Sequence, residues 1–136
     1  MVETKMDLIK IVVRYADGRV LKGYTHDFFP DKSLFHLKSI FGSKVFEIQL
    51  KELKAVFFVR DFIGNPSHSE EKHFKEGQNI SGRKVEVTFK DGEILVGSTM
   101  GYDAKRPGFF LFPVDPRSNN LKIFVISAAV SKVRYI

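Results

Sequence analysis

Four histidines, His26, His36, His68 and His73, are the side chains best suited to moving protons or holding a metal near neutral pH. His68 and His73 stand five apart, with Glu70 and Glu71 between them. A helical metal pair needs i, i+4 spacing to share one face, so this pair misses it and no metal site is expected. His26 and His36 align with Met100 and Phe110 of an internal repeat described next, which favours packing or surface roles. Ser43, Ser67 and Ser98 lack the Gly-x-Ser-x-Gly turn that exposes a serine nucleophile. Neither Gly-rich phosphate-binding signature is present. Asp17 and Asp91 are explained as turn formers, and Asp103 as a hydrogen-bond acceptor for loop amides. Neither a catalytic set nor a cofactor is expected.

The elements that would position any site come from a duplication. Ile11-Val-Val-Arg-Tyr-Ala-Asp-Gly-Arg-Val-Leu-Lys-Gly23 reappears as Val85-Glu-Val-Thr-Phe-Lys-Asp-Gly-Glu-Ile-Leu-Val-Gly97. Ile11/Val85, Phe35/Phe109 and Leu37/Leu111 share an offset of 74 residues. Leu53/Val130, Val56/Val133 and Phe58/Tyr135 share one of 77. The difference falls on a loop containing Pro116-Arg-Ser-Asn-Asn120. Alternating apolar and polar residues predict strands, and Asp17-Gly18 and Asp91-Gly92 predict hairpin turns. Five strands are expected in each copy: a first copy over 1–62, a polar linker over 63–82 with one helical turn near Ser69 to Phe74, and a second copy over 83–136.

The chain has 136 residues, 43% hydrophobic and 28% charged, with a net charge of +6. A single unit of roughly 55 residues would be marginal alone, so the copies are expected to pack together. No apolar run reaches the ~18 residues of a membrane span. The start, Met1-Val-Glu-Thr-Lys-Met-Asp7, has no apolar signal-peptide core. With no cysteine there is no disulfide or thiolate chemistry, and a cytoplasmic location is expected. The positive balance permits nucleic-acid contact without requiring it.

The order strand, Asp-Gly, strand ending in Leu-x-Gly, then an aromatic-Asp pair resembles Sm-like and related SH3-like barrels. Asp91-Gly92, Leu95-Val96-Gly97 and Tyr102-Asp103 carry it in the second copy. In the first copy Asp17-Gly18, Leu21-Lys22-Gly23 and Phe28 do so, with Phe29 in place of the Asp. The resemblance implies an all-β fold of two tandem five-stranded SH3/Sm-like barrels packed together. The Met-Asn pair of Sm-like RNA sites has no counterpart at Arg106-Pro107 or at Asp31 to Ser33, so that specific RNA pocket is not carried over. The blocks Leu53-Lys-Ala-Val-Phe-Phe-Val-Arg-Asp-Phe62 and Gly108-Phe-Phe-Leu-Phe-Pro-Val-Asp-Pro-Arg-Ser-Asn-Asn120 are also similar to an uncharacterised bacterial domain family.

Alternation places Phe35, Leu37, Phe109 and Leu111 inward, and Val56 and Phe58 with them. Ala55, Phe57 and Val59 then lie on the opposite face, so that strand needs cover on both sides. Phe57, Val59, Phe110 and Phe112 are the candidate inter-copy or oligomer interface. The candidate ligand rim is basic and lies in second-copy loops: Lys105, Arg106, Arg117, Asn119, Asn120 and Lys122. The expected function is a non-catalytic binding or scaffold module with a protein partner or self-association. The alternative is nonspecific RNA or DNA binding at that rim. No membrane association is expected.

Overall fold

A computed structural model describes residues 8–136. The secretory-signal reading of the first seven residues lies outside it. Ten strands run in chain order: β1 (Ile9–Tyr15), β2 (Val20–Thr25), β3 (Leu34–Ser39), β4 (Val45–Gln49), β5 (Leu53–Val59), β6 (Arg83–Phe89), β7 (Ile94–Thr99), β8 (Gly108–Pro113), β9 (Asn120–Ile126) and β10 (Val130–Tyr135). Short 3-10 turns, Leu50–Glu52 and Ser127–Ala129, precede the last strand of each half. The helical turn expected near Ser69 to Phe74 does not form; that stretch has no helical residue.

The two hairpins form as the repeat predicts. Gly18 and Gly92 adopt φ of 96° and 94°, a left-handed conformation that costs glycine nothing. The Leu-x-Gly step has a different cause. A Cβ on Gly23 would lie 2.2 Å from the Lys38 carbonyl oxygen, and one on Gly97 2.3 Å from that of Phe112. Both glycines therefore let the next strand cross β2 or β7 at close range. There the ladders are short, with only two paired positions in each of β2–β3 and β7–β8.

All strands join one antiparallel sheet in the order β10-β6-β7-β8-β9-β5-β1-β2-β3-β4. The all-β expectation is met. The sheet is open, however, and the expected closure of each half into its own barrel is not made by its ladders. β5 pairs with β1 on one side and with β9 of the other half on its second side. β4 and β10 are left as the edges.

This junction explains the apolar run of β5. All seven residues, Leu53–Val59, are buried. Leu53, Val56 and Phe58 enter a core with Ile11, Val13, Phe35, Leu37 and Ile48. Ala55, Phe57 and Val59 enter the other core, with Val85, Val87, Phe89, Phe109 and Leu111. β9 reciprocates: Ile123 and Val125 stay in the core of their own half, while Phe124 and Ile126 complete the first. Each half thus supplies one strand face to the other's interior. Burying a Phe-sized side chain stabilises by about 1.5–3 kcal/mol, so separating the halves would expose several such groups at once.

Polar contacts fix the same junction. Lys54 Nζ donates to Asp91 Oδ2 at 2.6 Å and to Glu93, and lies 4.7 Å from the Phe89 ring centroid. Burial opposes the Lys54 charge, but the bonds to Asp91 and Glu93 win and raise its pKa. The segment over 63–82 is also tied down. Asp115 is buried, accepts the Glu71 N–H at 3.0 Å and the Arg117 N–H at 2.8 Å, and bonds His68 Nε2 at 2.7 Å. These bonds, backbone donors first, hold its carboxyl at a pKa of about 2.

Candidate functional site: the groove between the halves

Where β9 ends and the Ser127–Ala129 turn begins, the halves meet along a groove. One depression, of about 790 Å³, is lined on one wall by Lys32 and Lys51 of the first half and on the other by Lys105 and Arg106 of the second. Among the described residues none of these four cations has a carboxylate within salt-bridge distance. Ser127 lines the same depression, and its Oγ, buried away from the surface, is the one buried side-chain polar atom, among those described, without a hydrogen-bond partner. An adjoining depression of about 810 Å³ shares Asp31, Arg106 and Pro107 with the first. Its remaining wall is mostly apolar, with Met100, Tyr102, Phe110, Phe112 and Phe124, and also carries Asp103.

Short turns set these side chains. Asp103 accepts the Lys105 N–H at 2.9 Å, and its carbonyl accepts the Arg106 N–H at 3.1 Å. This is the loop-amide role expected for Asp103, and it projects Lys105 and Arg106 from a fixed backbone. Tyr102 packs edge-on against Phe109, with ring centroids 4.9 Å apart. Phe28 from the first half reaches Phe35, Phe58, Phe110 and Phe124, at centroid distances of 5.1 to 6.5 Å. That aromatic cluster floors the join.

Beside the apolar depression the two copies diverge. In the first half Asp27 accepts the His36 N–H at 2.9 Å and bonds His36 Nδ1 at 2.7 Å, latching the loop after β2 onto β3. Burial opposes ionisation of Asp27, yet the bonds from His36 and Thr25 hold its pKa below the ordinary value. Gly101 and Phe110 occupy the corresponding positions in the second half. They cannot form that latch, and Phe110 is left half-buried in the groove.

The six residues of the expected basic rim are not brought together. Lys105 and Arg106 line the groove. Arg117, Asn119 and Asn120 belong to the opposite end of β9, roughly 20 Å away by strand rise. There Asn119 Nδ2 donates to the Asp61 carbonyl at 2.9 Å and its Oδ1 accepts the Asp61 N–H at 3.1 Å. Asn120 pairs with Val59 in the ladder. The Arg117 N–H closes the Asp115 turn. Lys122 lies between, with Nζ 5.0 Å from the Phe58 centroid and 4.7 Å from that of Phe110. Of the four interface candidates, Phe57 and Val59 are buried in the second core, and Phe110 packs against the first. Phe112 is 37% exposed on the groove wall.

Lys32 and Lys51 belong to the first half and so lie outside the expected rim, which was drawn wholly from second-copy loops. The repeat register holds the signal for one of them: at the offset of the third strands, Lys32 is the counterpart of Arg106. Lys51 aligns with Ala128 and has no such signal.

Fold and groove together define a duplicated all-β protein whose halves share one sheet and enclose a basic and aromatic cleft. The chain belongs to a family of unknown function, DUF6982, whose model matches residues 8–136. No curated protein and no solved structure matches it. No helix among the described residues is long and apolar enough to cross a membrane.

Proposed function

We propose that this protein is a non-catalytic binding module, built from a duplicated SH3/Sm-like small-barrel repeat, whose ligand surface is the groove between the halves and whose ligand carries negative charge. The observation that carries this reading is the set of four cations on both walls, Lys32, Lys51, Lys105 and Arg106, without carboxylate partners among the described residues. Cations facing one another across a cleft focus a positive potential there. The identical order of strands within each half, β5-β1-β2-β3-β4 and β10-β6-β7-β8-β9, supports the repeat assignment.

Support for a binding rather than a catalytic role comes from the titratable groups. Asp27, Lys54, Asp91 and Asp115 have shifted pKa values, and each shift traces to a bond that holds a turn, the junction or the segment between the halves. None of these four lines the basic depression. A cysteine-free chain suits a cytoplasmic setting.

The test is an amide chemical-shift titration with three anionic probes: polyglutamate, a heparin fragment and a short single-stranded DNA. Shifts should concentrate at residues 31–33, 104–106 and 127–128 and weaken with salt. Shifts confined to residues 117–122, or none with any probe at low salt, would overturn the groove assignment.

A further inference from the structure

The groove also carries information about the kind of ligand. We propose that it takes an extended segment of a partner protein, with acidic residues in the basic half and a bulky apolar side chain in the aromatic half. This rests on the reading of the groove as the ligand surface.

Three features select a peptide. The first is size. Small-molecule pockets span ~300–1,000 Å³, and here two depressions of about 790 and 810 Å³ lie side by side, sharing Asp31, Arg106 and Pro107. A single metabolite fills one of them; a chain fills both. The second is the change of character along the groove. Cations line one half, while the other presents Met100, 72% exposed, and Phe112, 37% exposed, beside Tyr102 and Phe110. Adjacent charged and apolar subsites suit a chain whose successive side chains differ in chemistry.

The third feature is charge of the wrong sign for a uniform polyanion. Asp31 stands where the depressions join and Asp103 lines the apolar one. A nucleic acid carries a phosphate at every nucleotide and would have to pass both carboxylates. A peptide can place its acidic side chains beside Lys32, Lys51, Lys105 and Arg106 and an uncharged stretch beside Asp31 and Asp103.

A peptide array tests this on the full chain. Its spots join an acidic block to a Phe- or Leu-containing block, in both orders, beside spots with either block alone and spots with both scrambled. The protein should be retained best by joined blocks in one order. Lys51→Glu with Arg106→Glu should weaken the best peptide about tenfold, the scale of two reversed exposed charge contacts. Met100→Ser with Phe112→Ser should weaken that peptide by a larger factor than it weakens polyglutamate. All four positions are exposed, and unchanged thermal melting verifies folding of each variant. Equal retention by joined and single blocks, or a joined peptide insensitive to both double variants, would overturn the proposal. So would single-stranded DNA that binds the groove more tightly than every peptide. If polyanions shift groove amides and no peptide binds, the peptide inference fails and the binding groove stands; if neither occurs, both fail.

Discussion

The β5–β9 junction and the free edges β4 and β10 are the same strand pair met in two settings. Through the repeat, β10 corresponds to β5 and β4 to β9. At the junction, Ala55, Phe57 and Val59 fill the second core, and Phe124 and Ile126 fill the first. At the edges their counterparts are Lys132 and Arg134 on β10 with Ile136 just past it, and Glu47 and Gln49 on β4. All but Gln49 are exposed, and Gln49 is half-buried. Lys54, which clamps Asp91 and Glu93 across the junction, corresponds to Ser131. Asp17 bonds Arg19 within its own turn, where the second copy has Asp91 and Glu93 both free to reach Lys54. The difference teaches that joining is controlled by a few outward-facing positions. The strand pattern is common to both settings. Charged side chains on an edge discourage further strand pairing, and β4 and β10 carry them where the junction strands carry apolar ones.

Deleting a junction aromatic gives the largest expected effect. Phe124→Ala should lower unfolding free energy by about 3–5 kcal/mol, while its edge counterpart Glu47→Ala should change it by no more than about 0.5 kcal/mol. Denaturant unfolding of both variants checks the contrast, and equal losses would break it. Remaking the edges in the image of the junction is the converse experiment. Glu47→Phe with Lys132→Ala and Arg134→Phe should make the chain self-associate more strongly than the parent at equal concentration, measured by sedimentation. Sedimentation that stays unchanged would show that the edges are blocked by something other than their charges.

Acid should act on the bonds around Asp115. Its folded pKa, about 2, lies below the ordinary 3.8. Its contribution is therefore fully present above the unfolded pKa and is lost as pH falls from about 4 through about 2. Thermal melting between neutral pH and pH ~2 should show Asp115→Asn less pH-dependent than the parent over that window. A matching pH dependence in both would remove Asp115 from the account. At the junction itself, a much smaller effect than that of Phe124→Ala is expected from Lys54→Met. The partners Asp91 and Glu93 are each about half exposed, so the loss should stay within about 1 kcal/mol, measured by denaturant unfolding.

The sequence by itself determined much of the fold. Period-two alternation and two Asp-Gly turns located strands and hairpins, because those signals are local. Burial of Phe35, Leu37, Phe109 and Leu111 followed from the same alternation. The apolar run of β5 stated that both its faces needed cover. What covered them, only the tertiary structure decided. β5 has a second ladder side, and whether β4 closes onto it or β9 enters it depends on Phe124 and Ile126 outcompeting Glu47 and Gln49 for an apolar interior, a choice among residues far apart in the chain. The groove has the same origin. Lys32 and Arg106 were legible as counterparts in the repeat, but they oppose each other only because β5 and β9 join, while Arg117 and Asn119 are carried to the far end of β9. Local patterning sets which way a side chain points from its strand, and long-range pairing sets what it points at.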